Sequence, residues 1–132
     1  MSATNPISAL QIAAMTSTVL DELQAEDPAV LDVRELSTVT NYYVIVSGNS
    51  QPHLNALSQE LQGQLRDQGQ RPYRKSGTPV SGWVVLDYVD VVVHLMTRDA
   101  REFYQIEELW NDAPRLDWPV AAECWKWAEA SC

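Results

Sequence analysis

Hydrophobic positions along this chain follow two periods, and the changes between them outline its elements. In "NPISALQIAAMTSTVLDELQAED" Ile12, Met15, Val19 and Leu23 recur at helical spacing. Asn5 suits the cap and Pro6 the first helical position, with Asp27-Pro28 as the expected stop. "AVLDVREL" alternates Leu31 and Val33 against Val30, Asp32 and Arg34, which predicts a strand. "STVT" reads as a turn, and "NYYVIVSG" as a second strand rich in β-branched and aromatic residues. Ser50 then caps a helix over "QPHLNALSQELQGQLRDQG". Its stripe is Leu54, Leu57, Leu61 and Leu65, and Gly69 is its stop. "RPYRK" is a short basic candidate strand and "SGTPVSG" a loop. "GWVVLDYVDVVVHLM" is two apolar runs around a polar break, the pattern of a hairpin. Thr97 can cap a last helix, "RDAREFYQIEELW", with Phe103, Ile106 and Trp110 on one face and an end at Asn111 to Pro114.

The predicted order is α β β α β β β α. A strand–helix–strand crossover after residue 41 favours parallel pairing of the strands it joins, and the later hairpin is antiparallel. The fold class is therefore α+β: one domain with a mixed, about five-stranded sheet packed by helices. In the hairpin, Trp83 and Val85 oppose Val84 and Leu86, while Val91, Val93 and Leu95 oppose Val92, His94 and Met96. Both faces are apolar and so call for cover. Two readings stand: the chain's own helices cover both faces, or a partner covers one. The domain is expected over 1–114, followed by a Trp-rich tail over 115–132. Trp118, Ala121, Ala122 and Trp125 suit one side of a short helix, with a mobile tail as the alternative.

Composition narrows the class. The chain has 132 residues, enough for one core, and no apolar run long enough to cross a membrane. Its first basic residue is Arg34, unlike a signal or transit peptide, so a cytoplasmic protein is expected. Cys124 and Cys132 sit in the last nine residues and read as free thiols; no cysteine pair has zinc spacing, and no cofactor is expected. The net charge of −9 is uneven. Residues 99–132 hold eight acids against three bases, whereas residues 34–98 hold five acids against six bases. The overall balance disfavours nucleic acid and suits a basic protein partner, or serves solubility alone.

The chemical signals are weak. Two acids sharing Mg²⁺ from one strand need i, i+2 spacing, and no two acids here are two positions apart. Asp87 and Asp90 differ by three and would converge only in a turn. "SGNSQPH" offers backbone N–H groups at a helix start, but the chain has no GxxxxGK[ST], GxGxxG or GxSxG. His53 lies in the first turn of a helix, exposed or helping its cap, and His94 reads as a structural strand histidine.

"LDVRELSTVTNYYVIVSGNSQPHLNAL", "GWVVLDYVDVVVHLM" and "REFYQIEELWNDAP" closely resemble the Iojap-like ribosomal silencing factor family over about residues 10–114. The resemblance implies a nucleotidyltransferase-like fold without catalytic acids, and a non-enzymatic repressor of translation. Family members bind the large ribosomal subunit through its ribosomal protein fourteen and sterically block joining of the small subunit when nutrients are scarce. By position, the partner-binding block falls on Trp83, Val84, Val85, Leu86, Asp87 and Tyr88. Trp83 and Leu86 are expected as apolar contacts, and Asp87 and Asp90 as partners for Lys or Arg. His94 and Tyr104 also match family positions. The chain departs from the family pattern at Asn41, usually Asp; at Asn49 and Pro52, usually Thr and Arg; and at Val89, usually Gly. Val resists the positive φ of a tight hairpin turn, so a wider turn or one with negative φ is expected there. The rival readings are a nucleotidyltransferase-like nucleotide binder using Gly48 to Ser50, and a homodimer that buries the hairpin against itself.

Overall fold

The computed structural model describes residues 8–120. Asn5, Pro6, Ala121, Ala122, Cys124, Trp125 and Cys132 lie outside them. Helix α1 (Ala9–Glu22) starts at Ser8, whose Oγ accepts from the Gln11 N–H, while the Gln11 side chain accepts from the Ser8 N–H. This reciprocal pair satisfies two of the helix's orphan donors. The helix ends before the expected Asp27-Pro28 stop. Gln24 takes a positive φ of 62°, the Ala25 N–H reaches the Leu20 carbonyl and the Gln24 N–H the Asp21 carbonyl. That is a Schellman ending with Gln in the glycine position. Asp27 and Pro28 instead lie in strand β1 (Glu26–Asp32), where the pairing register slips between Glu26 and Ala29 and Asp27 has φ 46°.

Strand β2 (Tyr42–Gly48) and helix α2 (Gln51–Asp67) fall close to expectation. Ser50 Oγ accepts from the His53 N–H; Leu54, Leu57, Leu61 and Leu65 are all fully buried; and Gly69 closes the helix at φ 80°. Strand β3 (Arg74–Thr78) begins later than "RPYRK" suggests, taking residues expected in a loop. Strands β4 (Trp83–Asp87) and β5 (Val91–Thr97) form the expected antiparallel hairpin. Helix α3 (Arg98–Tyr104) is capped by Thr97 but stops at Gln105, which is left-handed at φ 46°. A 3₁₀ turn over Ile106–Trp110 follows, and this break turns Phe103 out to 80% exposure, away from Ile106 and Trp110.

Among the described residues six strands, the last being β6 (Arg115–Leu116), make one mixed sheet in the order β3-β4-β5-β2-β1-β6. The parallel partner of β2 is β5, not the strand directly after α2; β3 instead forms the outer strand of the β3-β4-β5 meander. Strand β6 pairs with β1 and raises the expected strand count by one. It also carries the fold past the boundary expected at Pro114: Val120 is buried, its N–H held by Ser17 Oγ, and Trp118 Nε1 donates to Asp21.

Helices α1 and α2 cover one sheet face, packing Ile12, Met15, Leu20 and the α2 leucines on Val44, Val46, Leu86, Val93 and Leu95. The other face has a smaller core of Leu31, Val33, Ile45 and Met96 under Ala100, Ile106 and Trp110. Ion pairs fasten that layer. Arg101 donates to both Glu107 carboxylate oxygens and to Ser47 Oγ, and Arg115 adds a contact to Glu107 at 3.3 Å. Among the described residues no helix is long and apolar enough to cross a membrane.

Candidate functional site

Strand alternation divides the family-implied block between the two faces. Val84, Leu86 and Tyr88 point into the helix-covered core and are buried, Leu86 completely. The expectation that Leu86 touches a partner is therefore corrected: contact there would require lifting off the helices. Tyr88 is enclosed so fully that its hydroxyl has no partner among the described residues, and burial pushes its pKa up to about 12. Trp83, Val85 and Asp87 alternate to the other face and stay half-buried.

On that face an aromatic ribbon runs across three strands and onto α3. Trp110 packs 5.3 Å from Tyr43, Tyr43 5.6 Å from His94, His94 5.9 Å from Trp83, and Trp83 4.7 Å from Tyr104, by ring centroids. Phe103 adds an edge-on contact to Tyr104. The ribbon exists because the parallel β2-β5 register sets Ile45 opposite His94 and Tyr43 opposite Val92, while the antiparallel β4-β5 register sets Val85 opposite His94. Trp83 Nε1 donates to His94 Nδ1 at 3.0 Å. An acceptor Nδ1 places the ring's single proton on Nε2, so His94 is neutral. Burial pushes its pKa down to about 4. His94 thus orients the indole of Trp83, a structural role. Tyr104, 52% exposed, and Phe103, 80% exposed, extend the ribbon to an open apolar rim.

The two acids differ. Asp87 Oδ1 accepts the Val89 N–H at 2.7 Å and so builds the turn, while its charge, after burial, raises the Tyr43 pKa. Asp90 is exposed in the turn, and its carbonyl accepts from the N–H groups of Asn41 and Tyr42. Val89 takes a positive φ of 73°, against the expectation of negative φ or a wider turn.

At the Gly48–Ser50 junction three backbone donors are engaged. The Asn49 N–H goes to His53 Nδ1, the His53 N–H to Ser50 Oγ and the Leu54 N–H to the Ser50 carbonyl; Pro52 has none. His53 Nε2 also bonds the Leu23 carbonyl at 2.9 Å, tying the start of α2 to the end of α1. These bonds leave fewer N–H groups for a phosphate than the sequence pattern offers. Among the described residues no three His, Cys, Asp or Glu side chains gather to hold a metal ion.

Sequence reasoning missed Tyr43 and Trp110. The available signal was the period of "NYYVIVSG", which sets Tyr43 on the face opposite Tyr42 and Val44.

A family model described as ribosomal silencing factor during starvation matches residues 6–130. The chain is 37% identical over 113 residues to the ribosomal silencing factor RsfS of Bacillus subtilis, covering 86% of this chain and 93% of the relative. It is 34% identical over 100 residues to the mouse protein named mitochondrial assembly of ribosomal large subunit protein 1, covering 74% of this chain and 44% of that one. A crystal structure of a Chromobacterium violaceum protein superposes with a TM-score of 0.76 at 27% identity, over 88% of this chain and 96% of the other.

Proposed function

The chain belongs to the family of ribosomal silencing factors that act during starvation, regulators of translation rather than enzymes, and from that premise we propose that it binds the large ribosomal subunit through ribosomal protein fourteen and blocks joining of the small subunit by occupying space. The observation that carries the reading is the half-open aromatic face. Trp83, Val85 and Tyr104 form its centre, the exposed Phe103 its edge, and the exposed Asp90 of the adjoining turn adds an acid. A rigid indole held by His94 is the kind of anchor that supplies most of an interface's energy. The overall charge of −9 favours encounter with a basic ribosomal protein.

The test is co-sedimentation with purified large subunits and inhibition of subunit joining. The wild-type chain should do both, and Trp83→Ala combined with Asp90→Lys should lose both while keeping its fold. A folded double variant that binds as well as wild type removes the site assignment. A wild-type chain that never sediments with large subunits removes the function.

A further inference from the structure

Eight of the nine Lys and Arg side chains lie among the described residues. Four of them are in ion pairs: Arg34 with Asp32, Arg98 with Glu26, and Arg101 and Arg115 with Glu107. The other four, Arg66, Arg71, Arg74 and Lys75, make no ion pair among the described residues. They fall within ten consecutive positions that hold only one acid, Asp67. All four are exposed. A local charge of +3 in a chain of −9 is a segregated patch.

The fold wraps this patch around one edge of the sheet. Strand β3 is the outermost strand, and all five of its residues are exposed. Arg74 pairs with Asp87, so it projects to the aromatic face; Lys75 pairs with Leu86, so it projects to the helix side. There Lys75, Arg66, Arg71, Pro72 and Gln62 surround a hollow of about 270 Å³. Tyr73, next in the chain to Pro72, is 72% exposed, with the Arg74 guanidinium 5.8 Å from its ring centre. Its backbone is fixed by an N–H bond of 2.7 Å to the Asp87 carbonyl.

Charge on an edge strand also discourages unwanted strand pairing. That accounts for Arg74 and Lys75, but not for Arg66 and Arg71, which are off the strand, nor for an exposed tyrosine among them. Cations around an open aromatic ring are what a nucleic-acid backbone with an accessible base uses. An acidic polypeptide would use the charges and leave the ring idle.

We propose that Arg66, Arg71, Arg74, Lys75 and Tyr73 form a contact for the phosphate backbone of ribosomal RNA at the rim of the aromatic docking face. This rests on the large-subunit reading above and extends it. The aromatic face supplies the protein contact, and the patch supplies a sequence-independent one that sets orientation. It also qualifies the expectation from net charge that the chain avoids nucleic acid, because the repulsion is global and the patch is local.

The experiment compares the full chain with R66Q/R71Q/R74Q/K75Q in binding to large subunits between about 50 and 200 mM salt. Neutralising four phosphate contacts should reduce the slope of log affinity against log salt by about 3. Trp83→Ala should weaken binding at every salt concentration with its slope retained. An unchanged slope in the quadruple variant, with its fold intact, overturns the proposal. A second arm needs no ribosome: at low salt the full chain should bind a single-stranded RNA of about 20 nucleotides more tightly than polyglutamate of equal length, and lose that binding in the quadruple variant and in Tyr73→Ala. Absence of RNA binding, or preference for polyglutamate, overturns it in favour of an acidic protein partner. If wild type fails on large subunits but passes the RNA arm, the functional reading falls and the patch stands.

Discussion

Along β4, neighbouring side chains meet opposite fates. Val84 and Leu86 are sealed beneath the helices, whereas Trp83, Val85 and Asp87 remain half-buried on the other side. Both sets come from one short, largely apolar run. The covering layer makes the difference. Helices of 14 and 17 residues lie over one face, while the other has a seven-residue helix broken at Gln105 and a 3₁₀ turn. The short layer reaches Ile45 and Met96 but leaves the aromatic ribbon partly open. A sealed core and the proposed docking surface thus come from the same strands, and the split falls between consecutive residues.

The sharpest way to break this comparison is to truncate one residue on each side. Leu86→Ala should cost about 3 kcal/mol of stability, because it opens a cavity in a fully enclosed core. Trp83→Ala should cost less, since the ring is only partly buried. In binding the order should reverse. Leu86→Ala, assayed below its lowered melting temperature, should sediment with large subunits normally, and Trp83→Ala should lose at least about tenfold in affinity. Urea titration and co-sedimentation of the two variants read both effects. Equal binding losses would mean that the faces are not functionally distinct.

His94 gives the second-largest effect. Burial in the ribbon pushes its pKa down to about 4, against about 6.5 in an unfolded chain. Between those values the unfolded chain takes up a proton that the folded chain refuses. Stability from this group is therefore full above about pH 6.5 and declines as the pH falls towards 4. At pH 5 the loss should be about 2 kcal/mol. Asp32 and Glu107, held below the ordinary carboxylate range by Arg34 and Arg101, lose their contributions at lower pH and leave this window to the histidine. The urea midpoint should thus drop between pH 7 and pH 5 in wild type and hold nearly steady in His94→Gln. A wild-type midpoint that does not move would contradict a neutral, desolvated His94.

How much of this was legible in the chain depends on the range of each signal. Helix α2 is readable from its ends inward, because Ser50, the leucine stripe and Gly69 act within a few residues of one another. The hairpin is readable for the same reason. The parallel pairing of β2 with β5 has no local mark: it joins Tyr43 to Val92 across 49 positions, so the aromatic ribbon it assembles stayed hidden. The break at Gln105 is hidden differently. Glutamine is an ordinary helix former, and it turns left-handed where the Arg101–Glu107 ion pair and the partly buried Ile106 draw the chain back over the sheet. Likeness by position places Trp83 and Leu86 in one block; alternation together with helix cover sets them on opposite faces.

The smallest effect tests the turn that joins two strands of the proposed docking face. Val89 has φ 73°, and the Asp90 N–H reaches the Tyr88 carbonyl at 2.9 Å, so Val89 is the central residue of a γ-turn in the strained, positive-φ form. A β-branched residue in that region costs about 1–3 kcal/mol. It is held there from several sides. Asp87 takes the Val89 N–H, the Tyr88 N–H bonds the Val91 carbonyl, and the Asp90 carbonyl receives the N–H groups of Asn41 and Tyr42. Val89→Gly should relieve the strain, less the extra freedom glycine gives the unfolded chain, for a net gain of about 1 kcal/mol and a rise of about 3 °C in melting temperature. Val89→Ala keeps the Cβ and should gain less. Calorimetry separates the three chains. Because the bonds around the turn fix its path, the glycine variant should bind large subunits as wild type does. If it becomes more stable and yet binds more weakly, the half-exposed Val89 side chain is itself a contact, and the docking face extends from the ribbon over the turn.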